Sequence, residues 1–363
     1  MKAELYIGIV IIGALLVGGL MYSTSDKKSR DSSLGEILTA EEKQKMFLVA
    51  PEISSPDGFV NTKGEAVTLE QFKGKKVVLL DIWTYSCINC QRTIPRLNEL
   101  YEKYGDQGLE IIGLHTPEFA FEKVQKNVED AVARFGIKYP VVLDNDFSTW
   151  NAYENRYWPR KYLIDIDGYI VYDHIGEGGY EETEAKILEL LAERALVLGE
   201  EMKPADGAPI STQVIGTRNI AQSPETYFGS LRNEYLENGT PGAIGERQFL
   251  IPETLKRNRL YLGGEWNISQ ESAESMADAE VVYQYNAQDV YLVAEANEST
   301  RMEVFVDGKL LEPSRSGEVD EEGAVSIKES RLYHLVDDGE PGEHTLKLRI
   351  DGEGVRLYAF TFG

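Results

Sequence analysis

Residues 77 to 104, VVLLDIWTYSCINCQRTIPRLNELYEKY, constrain this chain more than any other stretch. The run Val77 to Trp83 is apolar apart from Asp81, which suits a central strand buried on both faces. Ile94, Leu97, Leu100, Tyr101 and Tyr104 then recur at helical spacing. Between strand and helix stand the only two cysteines of the 363 residues, Cys87 and Cys90. A helix start offers unpaired N–H groups and a partial positive charge. These stabilise a thiolate on the first cysteine, and the thiolate is the reactive form. The second cysteine, one turn on, can attack a mixed disulfide. Cys87 is therefore the candidate nucleophile and Cys90 the resolving thiol. Two alternatives fit less well. A structural zinc site needs four ligands, and the histidines, His115, His174, His334 and His344, are scattered. A structural disulfide closing so short a loop staples little.

Around this segment the pattern is that of an α/β domain over 46–199. Leu109–His115 reads as the next strand, Phe121–Gly136 as a helix closed by its glycine, and YPVVLD, 139–144, as a third strand. Arg160–Gly176 reads as a hairpin turning at Asp167-Gly168, and Tyr180–Gly199 as a final amphipathic helix. Pro204, Pro209 and Pro224 mark 200–225 as a linker. From 226 to 363 the hydrophobic period changes to two. VVYQYNAQDVYLVAEA alternates, Asp307-Gly308 signals a hairpin, and Leu346, Leu348 and Ile350 share a face. Many short strands over this length predict a β-sandwich or jelly roll.

The N-terminus is different. Leu5 to Tyr22 is an uncharged apolar run of 18 residues, long enough to cross a bilayer of about 30 Å. Residues 1–22 are expected to be an uncleaved single-helix membrane anchor, and 23–45 a polar tether with one short helix; a cleaved signal peptide is the alternative. Lys27, Lys28 and Arg30 follow the run while only Lys2 precedes it, so flanking charge favours a cytoplasmic C-terminal bulk. A net charge of −24 leaves no basic stripe for phosphates and argues against a nucleic-acid partner.

The segment around the cysteines resembles the thioredoxin superfamily, and several separate positions agree. Asp81 lies six residues before Cys87, where thioredoxins hold a buried acid that assists proton transfer at the second cysteine. Pro95 lies five after Cys90, where the family kinks its active-site helix. YWPRKYLID matches the position of the family's cis-proline, which would be Pro159 after Trp158. APEISSPDGFVNTKGEAVTLEQFKGKKVVLL resembles the N-terminal extension of the TlpA-like, membrane-tethered branch. WTYSCINCQRTIP, HTPEFAFEKVQKNV, RYWPRKYLID and RLYAFTFG resemble the soluble part of DipZ-type proteins, which join such a domain to a carbohydrate-binding-module-like β domain.

The resemblance implies a thioredoxin fold, a central mixed sheet flanked by helices, followed by that β domain. It implies a membrane-anchored, extracytoplasmic thiol–disulfide oxidoreductase acting on protein thiols and disulfides. Its redox group would be the Cys87–Cys90 disulfide, with no cofactor and no metal. DipZ-type proteins begin with a multi-helix CcdA-like domain; here a single anchor stands in its place, so a separate membrane donor of CcdA type is expected. Asp81 and Pro159 join the cysteines as catalytic candidates. Trp83, Tyr85, Ser86 and Trp158 are expected to support the site or flank its groove, with His115 and Glu118 near by. Ile88-Asn89 between the cysteines offers no charged or histidine donor, which favours a reductase or isomerase over a strong oxidant. Trp266, Tyr283, Tyr285, Tyr291 and Tyr333 raise a sugar-stacking role for the β domain; a protein ligand or core packing are the other readings. Two further functions stay open. One is a thiol peroxidase, for which Thr84 fits but Leu80 replaces a proline. The other is a surface binding module on a thioredoxin scaffold.

Overall fold

In the computed structural model, which describes residues 38–201 and 222–363, the first sheet has seven strands. They are β1 (Leu48–Val49), β2 (Gly58–Val60), β3 (Val77–Trp83), β4 (Leu109–His115), β5 (Val141–Leu143), β6 (Arg160–Ile164) and β7 (Tyr169–Ile175). Their order is β1-β7-β6-β3-β4-β5-β2, with β3–β4 and β4–β5 parallel and the remaining pairs antiparallel. Five helices accompany it: α1 (Ala40–Met46), α2 (Ile88–Tyr104), α3 (Gln125–Arg134), α4 (Ser148–Ala152) and α5 (Tyr180–Leu198). The mixed sheet with flanking helices is the thioredoxin fold that the resemblance implied.

Period two along β3 assigns its faces. Val78, Leu80 and Ile82 pack with Trp150 of α4 on one side. Val77, Leu79 and Trp83 pack on the other, with Leu97 of α2, Val128 of α3 and Ile187 of α5. Asp81, by the same alternation, faces α2, the helix that carries the cysteines. Helix α5 ends at Gly199, whose φ of 67° is the left-handed conformation that glycine adopts at little cost. Helix α1 opens with a Thr39–Glu42 capping box. Its buried Lys43 is enclosed by Asp165 at 2.7 Å, Asp167 at 2.6 Å and Glu193.

One helix departs from expectation. The pattern from Phe121 predicted a continuous helix, but Ala120–Lys123 is a 3₁₀ turn and α3 starts only at Gln125. Val124 is extended, at φ −77° and ψ 110°, because the Glu122 carboxylate is drawn back onto the amides of Glu118 and Phe119.

The C-terminal region is all β. Its strands are β8 (Thr226–Tyr227), β9 (Gly245–Phe249), β10 (Leu260–Ile268), β11 (Ala273–Ser275), β12 (Ala279–Ala296), β13 (Thr300–Val306), β14 (Lys309–Leu310), β15 (Ala324–Ile327), β16 (Arg331–Ile350) and β17 (Val355–Phe362). The long β12 bends at irregularities near Ala287 and Val290 and pairs with β10 at one end and β17 at the other. With β11 joining β10 to β17, the pairing closes a circuit around an apolar interior. The turn at Asp307-Gly308 has φ 52° and 75°, both positive, as a type I′ hairpin requires.

Thr39–Gly363 forms one compact unit. Tyr291, Val293, Leu332, Tyr358 and Ala359 of the β region pack into the same cluster as α2, α3 and α5. The expected anchor at Leu5–Tyr22, most of the tether and most of the linker lie outside the described residues. Among the described residues no helix is long and apolar enough to cross a membrane.

Candidate functional site

Cys87 caps helix α2. It is extended, at ψ 119°, and its Sγ accepts the N–H of Cys90 at 3.4 Å. This is the helix-terminus geometry that favours negative charge on sulfur. Cys87 is partly exposed; Cys90 is 1% exposed. Burial first, then the hydrogen bond and charge of Cys87, push the Cys90 thiol well up. The pair thus has one accessible sulfur and one sheltered thiol. The Trp158 carbonyl lies 4.0 Å from Cys87 Sγ, and the Trp158–Pro159 bond is cis, as the resemblance implied.

Asp81 is 1% exposed, and among the described residues its Oδ1 has no hydrogen-bond partner. Loss of solvent raises its pKa to about 7, against the pull of Lys161. Lys161, which the sequence reading missed, is also 1% exposed and lies directly opposite Asp81 across the β3–β6 ladder. Its Nζ donates to the Gly176 carbonyl at 3.1 Å. Burial lowers its pKa, and the charges of Asp81 and Cys90 oppose that. Trp83 Nε1 and the Tyr139 hydroxyl, both buried, likewise find no hydrogen-bond partner among the described residues. The floor beneath Cys90 is therefore polar and poor in partners.

The residues before Cys87 are not groove residues. Trp83, Tyr85 and Ser86 are at most 2% exposed and cannot touch a substrate. Tyr85 stacks on His115, and Trp83 meets that ring edge-on. His115 is fully buried, and burial takes its pKa down to about 3, so it is neutral at physiological pH. A proton-shuttling role for it is not supported. Trp158 is partly exposed; its indole donates to the Thr116 carbonyl at 3.0 Å and leans on Trp150 at 4.3 Å.

Polar contacts of Arg92 and Glu118 link the site's surroundings to the β region. Arg92, on the first turns of α2, donates to the Tyr291 hydroxyl at 3.3 Å. Glu118 accepts from Arg232 at 2.7 Å and from the Tyr227 hydroxyl at 3.0 Å. Neither was foreseen. The five aromatics weighed for sugar stacking are all buried, Tyr291 at 8% and the others at 1% or less. No face of theirs is free for a ligand, because they fill the core and the inter-domain contact.

Comparison with known proteins agrees with this geometry. The redoxin family model matches residues 48–191, and the model of a thioredoxin-like C-terminal domain matches 223–363. Protein DipZ of Mycobacterium tuberculosis is 37% identical over 322 residues, which cover 86% of this chain and 43% of DipZ. The chain thus spans less than half the length of that relative. The thiol-disulfide oxidoreductase YkuV of Bacillus subtilis is 32% identical over 143 residues, 39% of this chain and 94% of YkuV. ResA of Bacillus thuringiensis, also a thiol-disulfide oxidoreductase, is 33% identical over 40% of this chain and 79% of its own. A CxxC helix start facing a cis-proline, above a buried acid, is thus found in a chain that belongs to the redoxin family of thioredoxin-like proteins.

Proposed function

We propose that this chain is a membrane-tethered, extracytoplasmic thiol–disulfide oxidoreductase that reduces or isomerises disulfides in protein substrates. One observation carries the reading: Cys87 is accessible and receives a backbone N–H, while Cys90 is sheltered above Asp81. In the reduced protein the Cys87 thiolate attacks one sulfur of a substrate disulfide. That S–S bond breaks, a mixed disulfide forms, and the other substrate sulfur leaves as a thiolate. Cys90 loses its proton to the Asp81 carboxylate and attacks Cys87 Sγ. The substrate departs with two electrons and, after protonation, as a dithiol; the protein holds the Cys87–Cys90 disulfide. An acid with a pKa of about 7 is suited to this exchange at neutral pH.

The lack of a charged or histidine neighbour between the cysteines supports a reductase or isomerase over a strong oxidant. Recharging is assigned to a membrane donor of CcdA type. The apolar run at Leu5–Tyr22 supports the tether, and likeness to DipZ supports an extracytoplasmic setting. With its aromatics buried, the β region is read as a docking or positioning module rather than a sugar-stacking one.

The test is a trap. Cys90→Ser accumulates mixed disulfides with substrate proteins, seen as reducible adducts on non-reducing gels, and Cys87→Ser accumulates none. Equal trapping by both variants, or by neither, overturns the assignment.

A further inference from the structure

The segment between β4 and α3, residues 116–124, is held from both sides. From the β region, Arg232 binds the Glu118 carboxylate, and the Tyr227 hydroxyl, 3.0 Å from Glu118 and 2.6 Å from Glu225, is shared between the two acids. The Arg232 guanidinium also lies 3.6 Å from the centre of the Tyr227 ring and 5.5 Å from that of Phe119, a cation over two aromatic faces. Glu271 accepts the Ala120 N–H at 2.8 Å. The buried rings of Phe119 and Phe121 pack on Tyr358 at 5.1 and 4.8 Å.

From the catalytic side, the segment carries Glu122, which is fully buried. One of its oxygens accepts the Glu118 and Phe119 amides at 2.6 and 3.0 Å. The other accepts the Ser86 amide at 3.2 Å and the Ser86 hydroxyl at 2.7 Å. Four donors converge on it, which is the arrangement an ionised, acceptor-only carboxylate requires. Ser86 directly precedes Cys87, so these bonds fix the peptide that aims the nucleophile. The same carboxylate ties the Glu118 amide, whose own side chain the β region holds.

We propose that Glu122 is a positioning residue for Cys87, and that the C-terminal domain, through Arg232 and Tyr227 on Glu118, sets the segment that carries it. The β region then acts as part of the active site's support. The proposal rests on reading Cys87 as the nucleophile. It assigns the domain contact a role that neither domain performs alone.

The experiment uses the full chain. Amide hydrogen exchange is read at Ser86 and Cys87, with amides of α5 as a control for global unfolding. The alkylation rate of Cys87 by iodoacetamide is measured in the reduced protein. Arg232→Ala and Glu118→Gln each speed exchange at the two amides about tenfold and slow alkylation about threefold, with α5 unchanged. The double variant is no worse than either single one, since both break the same link. Arg232→Lys, which keeps the cation, recovers at least half of the alkylation rate. Glu122→Gln gives the largest change of the set; if it fails to fold, the two interface variants carry the test. Unchanged exchange and alkylation, or effects that simply add, overturn the proposal. Its failure is separable from that of the functional reading. Mixed disulfides trapped by Cys90→Ser alongside rigid Ser86 amides would sink only the positioning role. Loosened amides without trapping would sink only the nucleophile assignment.

Discussion

Two carboxylates withdrawn from water flank the cysteine pair, and they are opposites. Asp81 sits beneath Cys90 with one oxygen unpartnered among the described residues; Glu122 sits beside Cys87 with four donors on its two oxygens. Burial raises the pKa of both. At Asp81 only the charge of Lys161 pulls the other way, and the acid ends at about 7. At Glu122 hydrogen bonds from neighbouring hydroxyls and amides oppose the burial. The number of donors, more than the depth of burial, separates a group fit to exchange a proton from one fit to hold a chain in place.

The strongest way to break that contrast is to remove the carboxylate proposed to take the Cys90 proton. Asp81→Asn is expected to slow disulfide reduction at pH 8 by about 100-fold, a general-base contribution of ordinary size. Below pH 7 Asp81 is itself mostly protonated, so the gap between variant and parent narrows as pH falls. Stopped-flow reduction of a disulfide substrate from about pH 5.5 to about 8.5, either side of the general base's titration, measures this. A gap that does not vary with pH would deny Asp81 its role.

Stability should separate the two acids by sign. Between the ordinary value of 3.8 and about 7 the unfolded chain has lost the Asp81 proton while the folded chain keeps it. Folding stability therefore falls as pH rises through that window, and Asp81→Asn escapes the fall. At about 1.4 kcal/mol per pKa unit the gain at pH 8 is at most about 4 kcal/mol, reduced by the loss of Lys161's partner. Glu122→Gln runs the other way. An amide nitrogen cannot accept, so two of the four donors are stranded, at a cost of roughly 2–3 kcal/mol. Urea denaturation at pH 5 and pH 8 (about three units apart, covering the upper part of the window) reads both; two changes of the same sign would erase the distinction.

Much of this arrangement could be read from the sequence, and the exceptions share a cause. The runs Val77–Trp83 and Leu109–His115 predicted β3 and β4 because both faces of a central strand must be apolar. The cysteines were visible through spacing, and Asp81 and Pro159 through family likeness. Lys161 was hidden because a lysine in a hairpin strand reads as solvent-facing. Only the antiparallel register, which one strand does not specify, sets it opposite Asp81. Glu122 was absorbed into a helical pattern that its own hydrogen bonds interrupt. That Tyr291, Val293, Leu332 and Tyr358 cover the α/β domain was not legible, since period two does not say which neighbour covers a face.

The smallest expected effect gives the sharpest view of the floor beneath Cys90. The Tyr139 hydroxyl is buried with no hydrogen bond among the described residues. Burial, and after it the charges of Asp81 and Cys90, hold its pKa well above the ordinary tyrosine value, so it stays a neutral phenol. A buried hydroxyl without a partner contributes nothing to folding and costs its desolvation, so deleting it is free or favourable. Tyr139→Phe is expected to leave stability within about 0.5 kcal/mol of the parent or to raise it by up to about 1 kcal/mol. Urea denaturation at pH 8, where Asp81 is mostly ionised, is the decisive condition. A loss of about 2 kcal/mol would mean that the phenol donates to the ionised Asp81, directly or through water. The floor would then share the donor-rich character of Glu122, and the pKa of about 7 would need a different cause from simple loss of solvent.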